Sequence, residues 1–430
     1  MFKRITNLLK TNTFQGIAIV TGGLFVGNVL SYLLQILLAR FLSVSEYGIF
    51  TVLLSLSYIF TIPSTGVSNA IIKLVSELRA AGRFENLTAM FWKISALAFI
   101  SGVAITAGLL AFRVPLAAYL NLESPNLFFY FGIFLVFLLL IVIPTAYLQG
   151  LLRFKDFAIF VIVGGLLRVL FPLILIFSGF GVRGVFVGMG LGFGFAYLCA
   201  LLLLKKNFTG YTDVPLQAHF KRLFQLSYAT LLISVGMIIL NNIDVVMVKH
   251  YFDAHTAGIY SALVTVGKVL LFGAGTVSVV MFPQISELTA KNISYKSKFK
   301  QFLVIQVALI LAGIAVFSVM PYFVTNALFG SKFILAAQYL PAFSVFVGLY
   351  VLINFMTLFM IAIDKHSIFI VQLPVILLQV ILIYLFHTSL NQIILVNITV
   401  TALALLLIVL YYVRYVGFSN NSGIQKTALN

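Results

Sequence analysis

The sequence contains very little charge. Charged residues make up 9% of the 430 residues, whereas soluble domains carry about 25%. Acidic residues are the scarcest, with 10 Asp and Glu against 27 Lys and Arg. So few charges exclude an ordinary water-exposed surface. The single cysteine, Cys199, excludes an intramolecular disulfide. The P-loop and HExxH motifs are also absent, so nothing in the sequence indicates nucleotide hydrolysis or a zinc peptidase.

Hydrophobic residues account for 62% of the chain and are concentrated in long runs. A helix of about 20 apolar residues crosses the hydrocarbon core of a bilayer. The runs are continuously apolar and lack the alternation of membrane-spanning strands. We therefore predict an integral membrane protein built from helices. The twelve predicted spans lie near residues 14–39, 48–72, 94–112, 127–149, 157–179, 184–204, 223–248, 257–282, 301–322, 339–363, 367–386 and 391–413.

The net charge of +17 would suggest nucleic acid in a soluble protein, but here the basic residues follow the loops. Most lie in the loops that share a side with both termini. The opposite loops carry only Arg40, Arg113, Arg183, Lys249 and Lys332. Because basic loops stay inside, we expect both termini in the cytoplasm and no nucleic-acid partner. The first run is too long for a signal-peptide core, and we expect it to be retained as a helix.

Part of the first half of the chain recurs in the second half. YGIFTVL at residues 47–53 resembles AGIYSAL at 257–263, which lies 210 residues further on. The same shift aligns Ser-Glu-Leu at 76–78 with Ser-Glu-Leu at 286–288. A shift of about six spans preserves the orientation of each span, which predicts a parallel repeat. The expected fold is an all-α polytopic membrane protein with about twelve transmembrane helices, in two parallel six-helix repeats around a central cavity. The predicted domains are 1–210 and 211–430.

The layout and several motifs resemble those of a known family. The motifs are ARFLSVSEYGIF after the first span and NNIDVVMVKHYFDAHTAGIYSALVTV leading into MFPQISEL. Over essentially the whole chain, the sequence is similar to the Wzx-type polysaccharide (O-antigen) flippases of the multidrug/oligosaccharidyl-lipid/polysaccharide transporter superfamily. The resemblance implies transfer of an undecaprenyl-diphosphate-linked oligosaccharide across a bacterial inner membrane. The implied partners are this lipid-linked substrate, membrane lipid and glycan-assembly proteins.

Two basic residues lie inside apolar runs. Arg168 is near the middle of the fifth span and Lys268 near the middle of the eighth. A charge at this depth is costly and should face a wet cavity or a partner. Because a guanidinium suits phosphate, we expect both residues to contact an anionic lipid head. The alternatives are a structural hydrogen bond for Arg168 and pairing with Asp244 for Lys268.

Asp244 is the only acidic residue well inside an apolar run. Three roles remain open for it: a counter-ion for Lys268, a carrier of H⁺ or Na⁺, or a structural cap. It lies about 10 Å from Lys268 in depth, given the rise per helical residue. Asn241 and Asn242 are candidate substrate-binding donors, with structural hydrogen bonding as the alternative. We expect no cofactor beyond a coupling ion and no metal site.

Arg40 and Glu46 form a polar corner after the first span and are candidate gate residues at the outer surface. Uncharged polar residues inside spans suit either a sugar-binding cavity or contacts between helices. These residues are Asn28, Gln35, Asn69, Gln149, Asn354, Gln372 and Gln379.

Three other functions compete with the proposed flippase. A multidrug cation antiporter of the same superfamily would need acidic and aromatic groups in its cavity, whereas this chain offers basic ones. A glycan polymerase or ligase would need a large outer loop with catalytic residues. A lipid-linked peptidoglycan precursor is an alternative cargo for a flippase. The composition thus favours a transporter of an anionic ligand over an enzyme.

Overall fold

The computed structural model describes residues 12–208 and 231–414. Within these ranges the regular elements are helices. The chain forms two compact units, Met1–Tyr228 and Ala229–Asn430. The predicted domain boundary at residues 210 and 211 lies outside the described residues.

The described part of the first unit contains nine α-helices, followed by a short 3₁₀ turn at Lys205–Asn207. The helices are α1 (Asn12–Phe41), α2 (Val44–Phe60), α3 (Ile62–Ala80), α4 (Phe84–Ala111), α5 (Arg113–Tyr119), α6 (Leu127–Leu140), α7 (Val142–Gly150), α8 (Phe154–Phe177) and α9 (Gly181–Leu204).

The second unit is described from residue 231 and contains eight α-helices there. Its helices are α10 (231–240), α11 (Ile243–Tyr251), α12 (Ala254–Ala290), α13 (Lys296–Val319), α14 (Pro321–Phe329), α15 (Leu340–Ala362), α16 (Phe369–Leu385) and α17 (Leu390–Tyr412). Two 3₁₀ segments, Ser331–Gln338 and His366–Ile368, connect the later helices.

The predicted spans correspond to these helices. Among the described residues, ten helical segments are long and apolar enough to cross a membrane. The second predicted span is the pair α2 and α3, which is bent by 46°. The eleventh is the shorter apolar helix Ile370–Leu385. The prediction of an all-α polytopic membrane fold is therefore confirmed.

The backbone shows the repeat more clearly than the sequence does. α2 and α3 together cover residues 44–80, and α12 covers 254–290, which is the same interval shifted by 210. At the start of α2, the Ser43 side chain accepts a hydrogen bond from the Glu46 N–H. At the start of α12, Asp253 accepts one from the Thr256 N–H. The polar corner recurs because each repeat must cap the same helix N-terminus.

The ends of these helices also match. Gly82 and Asn292, again 210 residues apart, have left-handed backbones with φ of 69° and 54°. Each is followed by a residue whose N–H donates to a carbonyl five residues back, which closes the helix end. The repeat therefore extends from the cap of the helix to the turn that terminates it.

Close packing of α8 against α9 shapes the interior of the first unit. A Cβ atom added at Gly188 would lie 2.5 Å from the Pro172 nitrogen. One added at Gly192 would lie 3.0 Å from the Cα atom of Arg168. Small residues let membrane helices approach this closely. Gly188 and Gly192 of α9 thus let it pack directly against the backbone of α8, the helix that carries Arg168.

Candidate functional site

A cavity of about 540 Å³ lies inside the first unit. It is bordered by α1, α2, α3, α6, α7, α8 and α9. Most of its lining surface is apolar, with Leu30, Leu34, Phe134 and Met189 among the residues. Its polar lining consists of Ser31, Gln35, Ser57, Tyr58, Thr61, Ser64, Ser68, Asn69, Thr145 and Arg168. The cavity therefore combines one cation with many neutral hydrogen-bonding groups.

Arg168 lies on α8 and is half-buried at the cavity wall. Its Nε donates to the Gly164 carbonyl over 3.3 Å, and its guanidinium carbon lies 4.9 Å from the centre of the Phe193 ring. The ring face attracts the cation and orients the guanidinium. Within residues 12–208 and 231–414, no carboxylate forms an ion pair with it. None of the described lining residues is acidic. An anionic ligand would supply the missing counter-charge.

The break between α2 and α3 contributes many of the polar lining residues. α2 ends at Phe60 and α3 begins at Ile62, with Pro63 in the first turn of the new helix. Proline has no N–H to donate and is tolerated at this position. The matching α12 runs without interruption over the same interval. The bend is thus specific to the first unit.

The sequence predicted only part of this cavity. Arg168, Gln35 and Asn69 were identified as candidate cavity residues, and all three line it. The lining hydroxyl residues were missed. Three of them, at positions 57, 61 and 64, follow helical spacing, which was a usable signal. Hydroxyls are common in membrane helices, however, and only packing shows which of them face a cavity.

In the second unit, Asp244 lies at the centre of a buried hydrogen-bond network. It is 1% exposed, and its Oδ2 accepts from the Tyr260 hydroxyl at 2.5 Å and from Asn397 Nδ2 at 3.1 Å. Gln379 Nε2 in turn donates to Asn397 Oδ1 at 2.9 Å. Three helices, α11, α12 and α17, therefore meet at one carboxyl group, with α16 linked through Gln379.

Lys268 and Asp244 both line a second, much smaller cavity of about 10 Å³, together with Asn241. Lys268 is 9% exposed. Pairing of Lys268 with Asp244 stays a prediction. Asn242 Nδ2 donates to the Ile238 carbonyl over 2.8 Å, at the turn that separates α10 from α11. Its hydrogen bond thus stabilises a break in the seventh span.

Arg168 and Lys268 belong to different units, and their joint action on one ligand stays a prediction.

At the polar corner, Glu46 accepts hydrogen bonds from the Ser43 backbone and hydroxyl at 3.1 and 3.0 Å. Its other oxygen accepts from the Val182 N–H at 3.4 Å. Glu46 therefore links the starts of α2 and α9. A gating role for Arg40 and Glu46 stays a prediction.

Gln372 and Gln379 connect helices. Gln372 donates to the Thr357 hydroxyl over 2.8 Å, and Gln379 donates to Asn397 and to the Leu240 carbonyl. These contacts favour the interpretation of both residues as links between helices in the second unit. No three His, Cys, Asp or Glu side chains in the described part of the chain are arranged to hold a metal ion.

Among the described residues, ten helical segments that could cross a membrane, together with the bent pair α2 and α3 and the shorter apolar helix Ile370–Leu385, define a multi-pass membrane protein with a cavity inside its first unit. A profile of the polysaccharide biosynthesis protein family matches residues 13–289, and the chain belongs to this family. The comparison with curated proteins gives no match.

Solved structures of the MOP superfamily have the same fold. The lipid II flippase MurJ, in an inward closed conformation, aligns with a TM-score of 0.71 and 15% identity over 92% of this chain and 87% of MurJ. An inward-facing multidrug resistance MATE transporter aligns with a TM-score of 0.69 and 14% identity over 90% and 94% of the two chains. A Pyrococcus furiosus transporter of the superfamily, described as having a binding pocket of reverse polarity, aligns with a TM-score of 0.56 and 15% identity over 94% of this chain and 97% of the transporter. At these identities the similarity is one of fold.

Proposed function

We propose that the protein is a flippase that moves an undecaprenyl-diphosphate-linked oligosaccharide across a bacterial inner membrane by alternating access. The observation that carries this proposal is the cavity of the first unit. It presents the Arg168 guanidinium without an acidic residue among its described lining. Guanidinium and phosphate form strong charge-assisted hydrogen bonds. The neutral polar groups around Arg168 suit the hydroxyls of a glycan.

The alternatives fit this cavity less well. An organic cation would meet a positive charge at the cavity wall with no described acid to offset it. A peptidoglycan precursor is also a lipid-linked diphosphate, and the fold shared with MurJ keeps it as the alternative cargo. The reverse polarity described for the Pyrococcus furiosus transporter supports the idea that pockets of this fold vary in charge with their ligand. Both termini are proposed to lie in the cytoplasm because the basic loops share their side.

The proposal is tested by charge removal in vesicles. Purified protein is reconstituted, and translocation of a fluorescent undecaprenyl-diphosphate oligosaccharide is followed by chemical quenching of the outer leaflet. Arg168→Ala should lower the rate by about tenfold to a hundredfold, the worth of a hydrogen bond to a charged group. Arg168→Lys keeps the charge but loses the planar arrangement of donors, so its transport rate should lie between those of wild type and Arg168→Ala. Exposed Arg183 at the start of α9 provides the matched control, Arg183→Ala.

A wild-type rate in Arg168→Ala would contradict the assignment of this residue. Faster transport of an organic cation than of either lipid would instead favour the antiporter. A preference for the peptidoglycan precursor would change the cargo but not the class of ligand.

We further propose Lys268 as a second cation that contacts the diphosphate, assisted by Asn241 and Asn242. Lys268→Ala should also slow translocation of the oligosaccharide lipid. A buried ammonium on a helix that spans the membrane needs a negative partner, and Asp244 lines the same small cavity. If Lys268→Ala transports normally and only alters ion dependence, Lys268 is the counter-ion of Asp244 and not a ligand of the substrate.

Asp244 is the proposed site of ion coupling, with H⁺ or Na⁺ as the ion. A buried carboxylate is strongly unfavourable unless a proton or a cation compensates its charge. The three helices that meet at Asp244 would therefore respond to its occupancy. Asp244→Asn should make transport insensitive to pH and Na⁺ gradients. Gradient-dependent transport by this variant would exclude Asp244 as the coupling residue.

A further inference from the structure

Three hydroxyls that line the cavity of the first unit have already committed their protons. Ser57 Oγ donates to the Leu54 carbonyl over 2.6 Å, and Thr61 Oγ1 donates to the Tyr58 carbonyl over 2.9 Å. On the neighbouring α7, Thr145 Oγ1 donates to the Ile141 carbonyl over 2.6 Å. In each case the hydroxyl bonds to the backbone of its own helix.

Ser31 on α1 behaves in the same way, since its Oγ donates to the Gly27 carbonyl over 2.9 Å. A hydroxyl has one proton and two acceptor lone pairs. A hydroxyl whose proton is held by the backbone can therefore offer a ligand only its lone pairs. Ser57 is only 1% exposed, but Ser31, Thr61 and Thr145 are half-buried at the cavity wall. These three hydroxyls, on α1, the α2–α3 bend and α7, thus present an acceptor surface.

The complement of this surface is a ligand that donates hydrogen bonds. Arg168, in the same cavity, supplies donors and positive charge. The matching ligand carries an anionic group for the guanidinium and several hydroxyl donors for the acceptor surface. A sugar attached to a phosphate has both. A lipid diphosphate without a sugar would satisfy Arg168 and leave the acceptors to water.

The repeat shows that the fold does not require these hydroxyls. With the shift of 210 residues that relates α2 and α3 to α12, Ser57 corresponds to Gly267 and Thr61 to Leu271. The second unit thus builds the same helix without either hydroxyl. Their presence in the first unit coincides with the cavity and with Arg168.

Building on the proposed flippase function, we propose that Ser31, Thr61 and Thr145 determine specificity for the glycan. They accept hydrogen bonds from sugar hydroxyls, while Arg168 holds the adjacent phosphate. Affinity for the sugar and affinity for the phosphate are therefore separable. The hydroxyl side chains set the first, and the guanidinium sets the second.

The test compares two lipids on the purified full-length chain, sugar-free undecaprenyl diphosphate and an undecaprenyl-diphosphate disaccharide, with dissociation constants from native mass spectrometry. The double variant Thr61→Val and Thr145→Val keeps side-chain shape and removes both acceptors. Each lost hydrogen bond should weaken disaccharide-lipid binding about threefold to tenfold and leave sugar-free lipid binding unchanged. Thr51→Val is the matched control, because Thr51 also donates to its own helix, at Tyr47, but is buried away from the cavity.

Thr61→Ser with Thr145→Ser restores the acceptors and should restore the preference for the glycosylated lipid. The single variants Thr61→Val and Thr145→Val keep the test decisive if the double valine variant folds poorly. The inference is overturned if the valine variant binds both lipids as tightly as wild type does, or if it binds both more weakly by the same factor. Either result leaves the proposed function in place as long as the wild-type protein translocates the oligosaccharide lipid. Absence of oligosaccharide-lipid translocation by wild-type protein would overturn the proposed function, and this inference with it.

Discussion

Replacing Gly188 by alanine should destabilise the first unit, because the new methyl group would collide with backbone atoms. The added Cβ would lie 2.5 and 2.6 Å from the nitrogen and Cα of Pro172, and 2.7 Å from the carbonyl carbon of Phe171. Backbone atoms of a packed helix cannot rotate away as a side chain does. α8 and α9 would have to separate, which breaks their contacts along both helices.

The magnitude follows from two opposing effects. Overpacking a closely packed interior costs about 1–3 kcal/mol, and a clash with backbone atoms belongs at the upper end of this range. Alanine improves helix propensity over glycine by about 1 kcal/mol. The net loss in Gly188→Ala should therefore be about 2 kcal/mol. At Gly275 on α12, no atom lies within 4 Å of an added Cβ, so Gly275→Ala should gain up to about 1 kcal/mol.

The assay is thermal unfolding of both variants in detergent, followed by far-ultraviolet circular dichroism and by the recovery of monodisperse protein. The two variants should differ by about 3 kcal/mol, as the sum of these opposite effects. Equal stability of Gly188→Ala and Gly275→Ala would refute the close approach of α8 and α9. It would also remove the structural basis for the position of Arg168.

Three further predictions concern the site and the repeated corner. Gly192→Ala places a methyl group 3.0 Å from the nitrogen and Cα atoms of Arg168 and should displace this residue. The variant should slow transport in vesicles more than it lowers stability. A normal transport rate would show that function tolerates a displaced Arg168. Ser43→Ala removes the cap of α2 and should lower the free energy of unfolding by about 1 kcal/mol, with an unchanged melting temperature counting against the cap. In the loop before α12, hydrogen bonds from Thr256 hold the pKa of Asp253 below its ordinary value. This carboxylate therefore stabilises the fold at neutral pH, and the stabilisation is lost as the pH falls through its lowered pKa. The melting temperature of Asp253→Ala should lie below that of wild type at pH 7 and approach it in acid. A difference in melting temperature that does not change with pH would exclude this titration.

The sequence by itself determined the fold class, because a bilayer imposes length and polarity limits that apolar runs report directly. Over the residues that the structure describes, the predicted runs correspond to helices or helix pairs, and residues 223–230 of the seventh run lie outside them. The repeat was also readable, from Gly-Ile and Ser-Glu-Leu pairs that recur after 210 residues. Arg168, Lys268 and Asp244 were identified as unusual because charge inside a span is costly wherever it lies.

Only the tertiary structure decided which polar groups share a cavity. Ser57, Thr61 and Thr145 are ordinary residues of apolar helices until α7 and the bent pair α2 and α3 bring them around Arg168. The sequence likewise offered no sign that Tyr260 and Asn397 both reach Asp244. Tyr260 lies on the next helix and Asn397 lies 153 residues further along the chain than Asp244, and only helix packing turns both side chains toward one carboxyl group. A charge inside a span can be recognised from one residue and its apolar neighbours along the helix. Which uncharged hydrogen-bonding groups come together depends instead on how the helices pack.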